Sequence, residues 1–535
     1  MKKLSKIKNI VCALGIVTFS VSCTDNYKEW NTNPSEVPEE MLTGLMKIGN
    51  FFPTMQLDVI PTSDVDANEY QRAQNLCGDM HSDYMTPIGT WGNSSACSYN
   101  LRYDKWNDVA FDVAFTKVTP AWKQIRDNGQ EKFPEAYAVA QILKVTAMHR
   151  VTDIYGPLPY LQFGHGGLET PYDSQEDIYK SFFIDLDEAI VELQQYTTNY
   201  PGSKPLAKYD LVYGGDFVKW LKFANSLKLR LAMRTCYVEG FEVNGKTAQH
   251  LAEEAVAAGV ILENADNAQL QSANGLSVFH PLKVCWSNYS DVRMGADIES
   301  FLKGYNDPRL SKYFQESEYE VNGDKYHGAR LSAPQIASNK DNYAKLSAPN
   351  ILAESPVQWM CAAEVYFLRA EGKLRGWNMG GEVKELYEAG IAKSFEQWGV
   401  AMSDYLTRGD DFKPVKFTAP SGTIGTVMNP VSTITVAWNE SDNTEIKLER
   451  IITQKWLAMY PEGQEAWSEC RRTGYPKRFT IYFNKSSGQV DASGPRRIPY
   501  PSTEYDTNTV EVEKAVSEYL NGTDYGKVKL WWDKK

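Results

Sequence analysis

The residues of this chain best equipped for chemistry sit in loops rather than in compact catalytic motifs. In the stretch 77–106, His81, Asp83, Tyr84, Trp91, Asn93, Asn100 and Arg102 are scattered among Gly, Ser and Pro. Trp91 lies in Gly89-Thr90-Trp91-Gly92-Asn93, where the neighbouring glycines give its ring little local cover. A second stretch, 280–295, carries Trp286, Asn288, Tyr289, Asp291 and Arg293, and a third, 322–343, offers Tyr326, His327 and Arg330. Flat aromatic faces beside amides, carboxylates and guanidinium groups suit a saccharide. The rings cover the C–H side of a pyranose at low entropy cost, and the planar polar groups satisfy its hydroxyls. The expected ligand-binding set is therefore Trp91, Asn93, Asp83, Tyr84, Trp286, Tyr289 and Arg293. The competing expectation is that Trp91, Trp286 and Tyr289 pack their loops against the core.

Catalysis finds less support. A glycosidase needs two carboxylates at a defined separation, but with 68 acidic residues pairs are unavoidable and carry no information. There is no HExxH, no Walker loop, no GxSxG elbow and no dinucleotide fingerprint. Gly164-His165-Gly166-Gly167 has the wrong spacing for a phosphate cradle, and the 6 histidines include no pair at helical ligand spacing. Asp64-Val65-Asp66-Ala67-Asn68 opens like a calcium loop. It has Glu69 where the glycine belongs and Asn75 where the closing glutamate belongs. No CxxC or CxxH suggests zinc. The chain is expected to have no catalytic residues, no metal and no cofactor.

The N-terminus addresses the protein. Lys2, Lys3, Lys6 and Lys8 precede an apolar run, 10–22, too short to span a bilayer but suited to a secretory signal. It ends Ser20-Val21-Ser22-Cys23, which resembles a relaxed bacterial lipobox, so Cys23 is the expected lipidation site. The expected organisation is a signal peptide over 1–22 and one domain over 23–535. A lipid anchor, not a spanning helix, would hold it at a membrane. The formal net charge of −12 becomes more negative once the four signal lysines leave. That disfavours nucleic acid and anionic headgroups as partners. Of the 8 cysteines, Cys12 leaves with the signal and Cys23 carries the lipid; among the other six, Cys77 and Cys97 bracket one loop-like stretch, where a disulfide is compatible with export, and most of the six read as small buried side chains.

The elements that must position these loops are mostly helices. Val139, Ala140, Leu143 and Ala147 share one helical face over 135–150; Trp220, Phe223, Ala224, Leu227 and Leu231 share another over 217–234. Ala362, Tyr366, Ala370 and Leu374 mark a third helix, and Ile451, Lys455 and Met459, with Trp456 beside them, a fourth. Asp173-Ser174-Gln175-Glu176 opens a fifth in the manner of an N-cap. Lys219, Lys222, Lys228, Arg230 and Arg234 interleave on one helix, a pattern that normally marks a solvated face or pairing with acids. The better strand candidates are 479–483 and 433–438. Helices in consecutive pairs suggest stacked hairpins, without a clean repeat period.

Six ordered segments carry a resemblance. They are Trp30-Asn31-Thr32-Asn33-Pro34; Thr152-Asp153-Ile154-Tyr155-Gly156-Pro157-Leu158-Pro159-Tyr160; and the helix from Asp216-Phe217 to Leu229-Arg230. Then come Ala363-Glu364-Val365-Tyr366-Phe367-Leu368-Arg369-Ala370-Glu371; Trp467 through Arg471-Arg472-Thr473-Gly474-Tyr475-Pro476; and Lys529-Leu530-Trp531-Trp532-Asp533. In this order the chain resembles the SusD/RagB family of nutrient-binding lipoproteins. The resemblance implies a mainly α fold: tetratricopeptide-like hairpins forming a scaffold, with long irregular loops packed on one side. It implies an outer-membrane, surface-exposed location and a SusC-like TonB-dependent β-barrel as partner. The ligand would be an oligosaccharide or, as in the RagB group, a peptide, bound by loops in the first two regions above. The signature segments themselves read as fold. Gly156 ends a helix in the left-handed conformation, Pro157 and Pro159 stop it restarting, and Asp216 caps the next.

Overall fold

The computed structural model describes residues 44–63, 65–88, 98–102, 106–164, 169–331, 339–420, 423 and 427–535. The signal segment, Cys23, Trp91, Asn93 and Cys97 lie outside the described residues. The principal helices are α1 Phe51–Val59, α2 Gln71–Asp79 (wound as a π-helix), α3 Thr119–Gly129, α4 Pro134–Tyr155, α5 Gln175–Asn199 and α6 Phe217–Arg234. They continue with α7 Ala248–Ala258, α8 Ala296–Gly304, α9 Ala362–Leu374, α10 Val383–Gln397, α11 Thr444–Ala458 and α12 Gly463–Thr473. Helices α4/α5, α6/α7 and α9/α10 pack as consecutive antiparallel-type hairpins. α5 also packs on α6, α6 on α9, α9 on α11, and α12 on α2. Residues Gly49–Lys535 form one compact unit.

The helix boundaries follow local chemistry. Ser174 caps α5 and Asp216 caps α6, each side chain accepting the backbone N–H three residues on. α4 stops at Gly156, whose φ of +92° and ψ of −129° lie outside the left-handed helical well expected for it, in a region open only to glycine. The basic residues of α6 pair with acids. Lys222 meets Asp266 at 2.7 Å, Lys228 meets Asp187, and Arg230 meets Glu364 at 2.7 Å.

Arg234 sits fully buried among Asp153, Glu465 and Glu469. Lys455 and Arg472 reach Glu469 from the other side, at 2.9 and 2.7 Å, and Arg472 also pairs with Glu371 at 2.6 Å. Trp532 Nε1 donates to Asp153 at 2.7 Å. Five of the six signature segments thus interlock through one buried ionic network.

The strands are few and short. β1 Met85–Pro87 pairs antiparallel with β3 Val292–Met294, and β2 Ala268–Leu270 with β4 Val357–Met360. Both strands expected from sequence, 433–438 and 479–483, are irregular instead. Side chains take over the role of a neighbouring strand there. Tyr305 Oη donates to Ile434 O at 3.0 Å, Arg450 Nε to Thr435 O at 3.0 Å, and Tyr387 Oη to Val436 O at 2.7 Å. Phe479 N donates to Asp297 Oδ1 at 2.7 Å. With their polar groups satisfied in this way, neither segment needs a ladder.

Candidate functional site

A close helix crossing builds the site. A Cβ on Gly78 would stand 2.5 Å from Gln464 Cα, and one on Gly463 2.3 Å from Asp79 Cα, so only glycines let α2 and α12 approach this far. The chain leaving α2 carries His81 and Asp83 against the middle of α12, then enters β1. Pairing of Met85 with Met294 brings this turn beside the start of α8. Gly295 allows the contact, since a Cβ there would lie 2.4 Å from Asp83 O. Asp297 and Asp83 consequently share one neighbourhood. Ala329 N donates to Met294 O at 2.8 Å and fixes the run that ends in Arg330.

Together these elements and the segment after α12 enclose a cleft of about 330 Å³. Its polar lining includes His81, Asp83, Asp297, Arg330 and Arg478; its apolar lining includes Tyr99, Leu331, Val431, Phe479 and Ile481. Arg478 bridges the floor, donating to Asp83 Oδ2 at 2.6 Å and His81 O at 2.7 Å. His81 is buried between Tyr99 and Trp467, with centroids 6.1 and 5.2 Å away, and neither ring nitrogen has a hydrogen-bond partner. Burial, with Arg471 and Arg478 nearby, depresses its pKa to about 3, so the ring is neutral. Burial first, then the charge of Asp83, pushes the Asp297 carboxyl well above the usual range. Arg330 Nη2 donates to Thr480 O at 2.8 Å, and its guanidinium lies 4.4 Å from the exposed ring of Tyr482.

Of the expected ligand-binding set, Asp83 is the one member among the described residues that lines this cleft, and His81 and Arg330 join it from the first and third candidate stretches. Tyr84 is fully buried, its hydroxyl donating to Trp456 O while its ring packs on Trp456 and Tyr460. Its side chain therefore serves the core, and the next residue starts β1. Trp286, Tyr289 and Arg293 do not line the cleft. Trp286 is half-buried, donates to Ile351 O at 2.9 Å and carries Lys283 Nζ 3.7 Å from its ring centre. The Tyr289 hydroxyl donates to Asp66 O. Arg293 is buried and ties its own loop to a distant one, donating to Trp286 O at 3.2 Å and Ala344 O at 2.7 Å, with burial lowering its pKa to about 10. Cys77 is a buried free thiol.

Sequence reading missed Asp297, Arg478 and Phe479 as cleft residues. Asp297 sits in the first turn of a helix and Phe479 in an apparent strand, so neither announces a loop site. Among the described residues no His/Cys/Asp/Glu cluster suited to a metal ion is present.

Most of the chain is similar to solved structures. A chitin-binding SusD homologue from Flavobacterium johnsoniae is 37% identical, with a TM-score of 0.84 over 91% of this chain and 99% of that one. A SusD homologue from Bacteroides uniformis is 38% identical, with a TM-score of 0.83 over 91% and 99%. One from Bacteroides ovatus is 35% identical, with a TM-score of 0.85 over 92% and 100%. No protein of curated function matches significantly. The profile of the SusD-like family, SusD and RagB outer membrane lipoproteins, matches residues 29–533. This mainly helical chain, with its interlocked signature segments, belongs to the SusD-like family of outer-membrane lipoproteins.

Proposed function

We propose that this protein is a non-enzymatic, cell-surface lipoprotein that captures an oligosaccharide in the cleft beside α12 and passes it to a SusC-like TonB-dependent transporter. The observation that carries the reading is the cleft itself. It combines apolar walls at Phe479 and Ile481 with the carboxyl groups of Asp83 and Asp297 and with an uncommitted part of Arg330. Hydroxyl groups both donate and accept, so a sugar can satisfy such a mixture without carrying a matching charge pattern. The chitin-binding relative supports a saccharide over a peptide.

Lipidation at Cys23 and the anchored, surface-exposed location rest on the sequence and on the family's character as outer-membrane lipoproteins. Among the described residues no helix is long and apolar enough to cross a membrane.

The decisive experiment is calorimetry of the purified protein against panels of oligosaccharides and peptides, followed over hours for turnover. Saccharide binding without product is the expected result. Binding confined to peptides, or hydrolysis of the bound sugar, would overturn the reading. Cys23→Ala should move the folded protein out of the membrane fraction in cells lacking the transporter; continued membrane association there would place the anchor elsewhere.

A further inference from the structure

Resting on the oligosaccharide reading of this cleft, we propose that the ligand carries an anionic substituent, a carboxylate or sulfate on the sugar, and that Arg330 receives it. Four other cations line the cleft, and each is already satisfied. Lys477 pairs with Glu449 at 2.8 Å, Arg478 with Asp83 at 2.6 Å, and Arg496 with Asp533. Arg471 is buried and directs its donors to Asp153 O at 2.6 Å, Arg496 O at 2.8 Å and the Ser468 hydroxyl at 2.9 Å.

Arg330 differs. It is half-buried and makes no ion pair among the described residues. Its one hydrogen bond leaves Nε and Nη1 uncommitted. Its nearest acidic influence is Asp297, a poor counter-ion: burial and Asp83 favour the protonated form of that carboxyl, and its Oδ1 accepts Phe479 N. Burial also lowers the pKa of Arg330, which marks a cation losing water without a compensating charge.

A ligand seated over this group removes the water that remains. If neutral, it leaves the cation buried and unpaired, the costly case for a desolvated charge. A carboxylate or sulfate instead meets the planar guanidinium fork with charge-assisted hydrogen bonds, for which arginine is better shaped than lysine. The Tyr482 ring, its centre 4.4 Å from the guanidinium, restrains that fork through a cation–π contact, limiting the entropy lost on binding.

The test is calorimetry of the full-length protein with four probes of equal length: an oligogalacturonate, a sulfated chondroitin fragment, chitotetraose and a glutamate-rich peptide. One of the two acidic sugars is expected to bind at least tenfold more tightly than chitotetraose, and added salt should weaken it selectively. The arm that wins separates carboxylate from sulfate. In Arg330→Gln the acidic-to-neutral ratio should fall toward one, and Arg330→Lys should retain part of it. Chitotetraose binding as tightly as both acidic sugars overturns the inference and leaves the oligosaccharide reading standing. Binding of the peptide alone, or of no saccharide, overturns both. The wild-type comparison and its salt dependence distinguish these outcomes even if a variant fails to fold.

Discussion

Replacing Arg234 with methionine tests whether the signature segments are held by the buried ionic network. The substitution keeps an unbranched side chain of similar length and removes only the charge and its donors. Asp153 would keep Tyr179 Oη at 2.6 Å and Trp532 Nε1 at 2.7 Å, and Glu469 would keep Lys455 and Arg472 at 2.9 and 2.7 Å. Glu465 would keep only Arg230, 3.8 Å away, and its Oε2 already lacks a hydrogen bond. Breaking a buried pair costs about 3–5 kcal/mol, because the abandoned charge stays out of water. The loss of the cation 5.2 Å from the Trp532 ring adds about 0.5–2 kcal/mol. The expected destabilisation is therefore about 3.5–7 kcal/mol by urea unfolding followed by tryptophan fluorescence and circular dichroism. Adding Glu465→Gln should recover about 1–3 kcal/mol, since it removes the barest acid. A single variant within about 1 kcal/mol of wild type, or a double variant no more stable than the single, would refute this reasoning.

Trp220→Ala should cost about 3–5 kcal/mol, because the ring is fully buried, packs edge-on against Tyr213 and donates to Asp210 at 2.8 Å; an unchanged melt would contradict this packing. The contributions of His81 and Glu371 to stability should each fall as pH drops, against the opposite contributions of Asp79 and Asp58, which burial raises to about 7 and about 6. His81, at about 3 when folded, is held neutral below the pH where an unfolded histidine protonates, so its contribution declines from about 6.5 downward. Glu371, lowered to about 2 because Arg472 and Arg375 outweigh its burial, contributes stability that is present above the unfolded value of 4.5 and lost as pH falls toward 2. Acid unfolding of His81→Gln and Glu371→Gln beside the wild type, followed by circular dichroism, isolates each contribution; a variant whose stability keeps the wild-type pH slope in the corresponding range would contradict it. Because His81 stays neutral, sugar affinity should not titrate through that residue between pH 5 and 8; a histidine-like step in calorimetry that His81→Gln abolishes would overturn this. Trp91→Ala should weaken oligosaccharide binding at least tenfold with little change in melting, as expected for a stacking face worth about 1–3 kcal/mol. Unchanged affinity would remove that loop from the site, and a collapsed melt would make Trp91 a core residue.

The sequence by itself determined the helices. Periodic apolar faces with local caps at Ser174 and Asp216 placed α5 and α6, because helix formation depends on residues three and four apart. It also determined the family, whose ordered segments survive as a contiguous pattern, and it showed that the cations of α6 needed acidic partners. It could not say which. Asp153, Glu371 and Glu469 are distant in sequence and meet only when α4, α6, α9 and α12 pack together.

The site was less legible for the same reason. Loop composition picked out Asp83 but equally picked out Tyr84 and Arg293, whose burial depends on partners such as Trp456 and Ala344 far along the chain. Asp297 and Arg478 gave no local signal, being charged residues of a helix start and an irregular segment. Two glycines at the α2–α12 crossing and one at the entry to α8 bring them together, since a backbone approach of this closeness tolerates no Cβ. Periodicity reports which face of an element is buried; only the tertiary structure decides which faces meet and leave a cleft between them.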